Sequence, residues 1–169
     1  SAARAYLFSQ LKKVIDAGVP GAVLELGTHN GRLTSTNMRR VLDRFAPNRS
    51  FHVYDSFQGI PSPTTEDGIS IQAGSMRVSK HDFIHSFRAL GLRLPDGIHT
   101  GFFGDIPDSE YPAPVAFAFF DGDLYTSILH SFHKVWPKLS KGGVVIVHDY
   151  GPDPGTTKKM ADNLGDFPK

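Results

Sequence analysis

The sequence predicts an α/β protein: a three-layer sandwich around a mostly parallel sheet. Three observations predict it. Short apolar runs alternate with segments of helical period along the chain. Several of the runs are apolar at successive positions, as strands are when helices cover both faces of a parallel sheet. Polar and glycine residues follow those runs directly, where open α/β sheets bind their ligands. With 169 residues, 40% of them apolar, the chain suits a single ordered domain, taken as residues 1–169.

The elements follow in order. Leu7, Leu11, Val14 and Ile15 fall on one helical face, and Gly18, Pro20 and Gly21 end that helix. Ala22 opens a strand that stops at Gly27, and the polar THNGR segment makes the turn. Met38, Val41, Leu42 and Phe45 mark a second helix, stopped by Pro47 and Asn48. FHVYD, residues 51–55, is the next strand. Residues 56–75 are rich in Gly, Pro, Ser and Thr and form a loop of a length usually kept for function. Ser79 with Asp82 resembles a capping box for a helix carrying Phe83, Phe87 and Leu90. Ile98 to Phe103 is a weak strand, and VAFAFFD, residues 115–121, a strong one. A helix through Ile128, Leu129, Phe132, Val135 and Trp136 comes next. Gly142 and Gly143 introduce the last strand, VVIVHD. The alternation is Rossmann-like.

Composition excludes several chemistries. There is no cysteine, so disulfides, Cys-ligated zinc, iron–sulfur clusters and cysteine nucleophiles are ruled out. Lys and Arg number 18 against 17 Asp and Glu, for a net charge of +1, and no basic run points to nucleic acid. No apolar stretch reaches the roughly 18 residues of a membrane span. The opening SAARAYLFSQLKK lacks the order of a signal peptide, and a cytoplasmic location is expected. A homo-oligomer is compatible with all of this.

The candidate site residues lie at strand ends. Gly27 and Gly31 let the chain turn tightly past a ligand, or simply join strand to helix. The spacing is G-x-x-x-G and lacks the dinucleotide fingerprint. Thr28 and His29 sit in that loop beside any ligand it holds. Asp55 can accept hydrogen bonds from both hydroxyls of a ribose, or serve as a turn residue. Gly104 and Asp105 can edge an adenine pocket. Asp121, Asp123 and Asp149 can converge on a hard cation, and one of them can act as base. His148 reads equally as ligand, base or edge histidine. Tyr125 and Ser127 can frame the acids. His81 and His85 lack the H-E-x-x-H pattern and read as a surface pair, while His130 and His133 read as structural.

VLELGTHNGR, VYDSFQGIP, FFDGDLYTS, WPKLSKGG and VVIVHDYGPDPG, spread over about residues 22–156, together resemble the class I S-adenosylmethionine-dependent methyltransferases. More narrowly, the chain is similar to the macrocin O-methyltransferase family, which modifies sugar hydroxyls of natural products. The resemblance implies Glu25, Gly27 and Gly31 around the methionine part of S-adenosylmethionine. It implies Asp55 on the ribose, Ser56 and Phe57 along the adenosine, Asp105 near adenine, and a small-molecule or sugar hydroxyl as acceptor. It also implies Asp121 and Asp149 as Mg²⁺ ligands. Position 148, commonly an acid in this family, is His148 here. Imidazole suits Mn²⁺ or softer ions better than Mg²⁺, so His148 joins Asp121 and Asp149 as a metal ligand, or replaces the metal as base. Asp123 could take up either task. The family-like signal ends near Gly155, so the final antiparallel strand pair is expected to be missing from this core.

Two other readings share these residues. A nicotinamide-dependent oxidoreductase would use Asp55 and a glycine turn but gives no role to the paired strand-end acids. A non-catalytic, degenerate methyltransferase would keep the cofactor and lose turnover.

Overall fold

The computed structural model describes residues 1–65, 67 and 72–148. Five strands form one sheet in the order β3-β2-β1-β4-β5, with every neighbouring pair parallel. They are β1 (Ala22–Leu26), β2 (Phe51–Asp55), β3 (Gly97–Thr100), β4 (Val115–Phe120) and β5 (Leu139–Val147). The helices are α1 (Ala2–Asp16), α2 (Ser35–Phe45), α3 (Lys80–Ala89) and α4 (Tyr125–Val135). The Rossmann-like three-layer expectation is met, and β1 beside β4 marks the point where the strand order reverses.

Side-chain alternation along the strands divides the core into two layers. Val23, Phe51, Val53, Phe117 and Phe119 turn to one face and pack with Leu7, Leu11 and Val14 of α1, Met38 and Leu42 of α2, and Phe83 and Phe87 of α3. Leu24, Leu26, Tyr54, Ala118 and Phe120 turn to the other, against Tyr125, Ile128 and Val135 of α4 and the Ile106 and Tyr111 segment. All residues of β1 and β4 are buried, which is why both read as unbroken apolar runs.

Several boundaries differ from the sequence expectation. β3 stops at Thr100 because Gly101 has φ +152° and the chain then turns, with the Asp105 and Ile106 amides donating to Phe102 O. Gly142 and Gly143 lie inside β5 and do not precede it. Val115 pairs with Leu139 and Phe117 with Val144, so the extra β5 residues bulge out around Gly142 at φ +81°. Phe45 and Leu90, expected on apolar helix faces, are each 47% exposed. On α2 the buried face takes in Arg39 instead. Its guanidinium lies over Phe51 and pairs with Asp43 and Asp96, both at 3.3 Å. Ser79 does cap α3, accepting from the Asp82 amide at 3.0 Å. No helix among the described residues is long and apolar enough to cross a membrane.

Candidate active-site cleft

A cleft of about 510 Å³ opens over the carboxyl ends of the strands, inside the roughly 300–1,000 Å³ range of small-ligand sites. Its floor and walls include Gly27, His29, Asp55, Ser56, Gly104, Asp105, Asp121, Asp123 and His148. These predicted site residues come from the ends of all five strands, so the sheet itself brings them together. At the floor, β1 and β4 approach closely: a Cβ on Gly27, whose φ is +92°, would stand 2.3 Å from Asp121 O. Only glycine fits that contact.

Asp55 holds the loop after β1. Its Oδ2 accepts from the Thr28 amide at 2.9 Å, the His29 amide at 3.2 Å and Thr28 Oγ1 at 3.3 Å. Its Oδ1 accepts from the Phe57 amide at 2.9 Å. A carboxylate has about four acceptor sites, so Oδ1 retains capacity toward the cleft. An acid at the second strand end, glycines at the floor and the Phe102–Phe103 wall suit a nucleoside, and the donor set fits an S-adenosyl ligand.

Four predicted cofactor residues do not line the cleft. Thr28 and Phe57 are buried behind it. Gly31 packs under α3, where a Cβ would meet the Phe83 ring at 2.7 Å. Glu25 shares the face of β1 that bears Val23, so it points beneath the start of α2 and is fully buried. There the Thr34 hydroxyl donates to its Oε1, and the Ser35 hydroxyl to its Oε2 at 2.5 Å. Burial raises its pKa to about 8 against the opposing pull of those two hydroxyls, so the carboxyl is largely protonated at neutral pH.

Asp121 and His148 meet. His148 Nδ1 lies 3.0 Å from Asp121 Oδ1, and the ring stands edge-on to Phe119 with centroids 6.0 Å apart. The His148 amide donates to Phe120 O at 2.9 Å, which continues the β4–β5 ladder and sets the side chain beside Asp121. Among the described residues no group of three or more His, Asp and Glu side chains converges as a cation site requires. Asp149 lies outside the described residues. Asp121 and His148, two of the three expected metal ligands, lie side by side in the cleft.

Other lining residues escaped the sequence reading. His130, read as structural, faces the cleft, and a Cβ on Gly104 would meet its Nδ1 at 2.7 Å. Its i, i+4 spacing from Thr126, also a wall residue, was the available signal. Ile60, Pro61, Ser62 and Thr64 bring the expected loop into the wall, Met76 just past that loop and Ser127 also line it, and Tyr125 is buried. Asp67, also buried, carried no recognised signal. The clue lay in α4, whose first turn follows Leu124, a residue without a capping side chain. His81, His85 and His133 are exposed on their helices.

Comparison with known proteins agrees with this geometry. The family model described as Macrocin-O-methyltransferase (TylF) matches residues 4–164. The 8-demethyl-8-(2,3-dimethoxy-alpha-L-rhamnosyl)-tetracenomycin-C 4'-O-methyltransferase of Streptomyces olivaceus is 32% identical over 155 residues, covering 85% of this chain and 58% of that protein. The demethyldecarbamoylnovobiocin O-methyltransferase of Streptomyces niveus is 32% identical over 151 residues, covering 83% of this chain and 56% of that protein. The chain thus spans somewhat over half the length of these relatives. Among solved structures, the O-methyltransferase NovP superposes with a TM-score of 0.82 at 30% identity, over 95% of this chain and 69% of that one. A calicheamicin methyltransferase shares the fold, with a TM-score of 0.78 at 22% identity over 97% of this chain and 71% of that one. The chain belongs to the macrocin-O-methyltransferase (TylF) family of class I S-adenosylmethionine-dependent O-methyltransferases.

Proposed function

We propose that this single domain is the cofactor-binding and catalytic core of an enzyme that methylates a hydroxyl on a sugar of a small natural product, with His148 as the base. The observation that carries the proposal is the 3.0 Å contact between His148 and Asp121 at the mouth of the cleft. Bound S-adenosylmethionine supplies an electrophilic methyl carbon. Asp55 accepts from the ribose through its remaining Oδ1 capacity. Gly27 and His29 face the methionine end, and Ser56, Gly104 and Asp105 face the adenosine.

His148 takes the acceptor's hydroxyl proton at Nε2 as the oxygen bonds to the methyl carbon and the carbon–sulfur bond breaks. Asp121 keeps Nδ1 protonated and stabilises the imidazolium that forms. The proton then passes from Nε2 to water when product leaves. Such base assistance contributes about 10²–10⁴-fold, and the rest comes from alignment within the cleft. Asp123, also in the wall, lies where it can orient the acceptor.

A glycosylated acceptor is supported by what two relatives are named for: a rhamnosyl-tetracenomycin in one, and mycinamicin III, methylated at 3'', in the other. The test uses the protein with methyl-labelled S-adenosylmethionine and a rhamnosyl-tetracenomycin as probe acceptor. Label should move to the sugar, and His148→Ala should abolish transfer while leaving S-adenosylhomocysteine affinity within about three-fold. Unchanged turnover in His148→Ala would remove it as base. A melting-temperature rise with a nicotinamide dinucleotide and none with S-adenosylhomocysteine would favour the oxidoreductase.

A further inference from the structure

Asp67 is a buried carboxylate, 3% exposed, and among the described residues its hydrogen bonds come from the neutral donors of Thr64 and Thr126. Its Oδ2 accepts from the Thr64 amide at 2.8 Å and the Thr64 hydroxyl at 3.0 Å. From the other side of the cleft, 59 residues along the chain, the Thr126 amide donates to Oδ1 at 2.9 Å. The Thr126 hydroxyl reaches Oδ2 at 2.9 Å. Burial alone would raise its pKa, but the hydrogen bonds from Thr64 and Thr126 outweigh it and hold the carboxyl below its ordinary value. The acid thereby caps α4, whose Leu124 has no side chain that can do so.

The same loop is clasped at its base. The Ile60 amide donates to Ser75 O at 2.9 Å and the Gly74 amide to Ile60 O at 2.8 Å. A Cβ on Gly59 would stand 2.5 Å from both Gly74 O and Ser75 O, so the clasp closes on glycine. One anchor lies on the β2 side and the other on α4, just past Asp121 and Asp123. The residues between them, Ile60 to Thr64, form cleft wall.

We infer that Asp67 is a positioning residue that fixes the Ile60–Thr64 wall against the β4 end of the cleft, and so sets how long the nucleoside ligand is retained. The inference rests on the S-adenosyl reading of the cleft. Without the pin the wall opens more often over bound ligand, so affinity is lost chiefly through faster release.

The experiment measures S-adenosylhomocysteine binding and dissociation, together with amide exchange, in wild type, Asp67→Asn, Thr126→Val and Thr126→Ser. Asp67→Asn should speed dissociation roughly ten-fold with little change in association. Faster exchange should be confined to residues 60–65 and the first turn of α4. Thr126→Val should follow in part, and Thr126→Ser, which keeps the hydroxyl, should restore wild-type release. If wild type binds and Asp67→Asn releases ligand at the same rate despite faster local exchange, Asp67 is only a helix cap and the inference falls alone. If Asp67→Asn does not fold, the Val and Ser variants decide by the same measurement. A wild type that binds no S-adenosylhomocysteine would sink the cofactor reading and the retention role together.

Discussion

His148 Nδ1, one residue past β5, lies 3.0 Å from Asp121 Oδ1, one residue past β4. Parallel pairing of the two strands makes this contact, because Phe120 and Val147 are register partners and the next residues leave the sheet side by side.

Removing the orienting acid should lower turnover without emptying the cleft. Asp121→Asn is expected to reduce methyl transfer by about 10²-fold or more, with S-adenosylhomocysteine still bound in calorimetry. With His148 as the proposed base, a chelator should change wild-type turnover by less than about two-fold. Abolition by chelator and recovery with Mn²⁺ or Mg²⁺ would return Asp121 and His148 to the role of ligands.

Asp55→Ala should act on the cofactor and on the loop together. It removes the acceptor proposed for a ribose and leaves the Thr28 and His29 amides without their partner. Lost hydrogen bonds to a charged group are worth about 1.5–3 kcal/mol, so S-adenosylhomocysteine affinity should drop about ten- to 100-fold. Calorimetry measures it; unchanged affinity would place the ribose elsewhere.

Glu25 should make the ligand-free protein less stable in alkali. Its folded pKa, about 8, stands above the ordinary 4.5, so the folded state binds the proton more tightly than the unfolded state. The stabilisation is complete below pH 4.5 and is lost as pH rises through 8. Between those values stability should fall by up to about 1.4 kcal/mol per pH unit. Glu25→Gln should flatten the slope in urea unfolding at pH 5, 7 and 9. Equal slopes in the two proteins would show that Glu25 does not hold its proton.

Gly27→Ala should destabilise the fold as well as the site. The new Cβ would strike Asp121 O at 2.3 Å, and a φ of +92° strains any other residue. Strain and overpacking together cost about 2–5 kcal/mol, enough to lower Tm by about 10 °C. A thermal melt that differs by less than about 2 °C would mean that β1 and β4 separate easily.

Much of the fold was readable because its signals are local. FHVYD was bounded correctly by its own residues, and Ser79 marked the start of α3. Errors arose where a local signal met a tertiary contact. Gly142 and Gly143 look like a break, yet strand pairing runs through them as a bulge. Phe45 has the period of a core residue, but buried Arg39, paired to Asp96 at 3.3 Å, occupies the α2 interface. In the cleft, Gly27, Asp55 and Asp121 were legible as strand-end residues, while the capping role of Asp67 depends on a helix 59 residues away.

Apolar runs alternating for most of the chain with helical periods determined, from the sequence alone, a parallel α/β sheet, its strand ends and the acids and glycines on them. The cysteine count had already limited any metal to Asp and His ligands. Only the tertiary structure decided which of those groups meet. It buried Glu25 under α2, turned His148 onto Asp121 and drew Asp67 to Thr126. Periodicity reports which face a residue takes on its own element. Convergence depends on strand order and register, which place distant residues within hydrogen-bond reach.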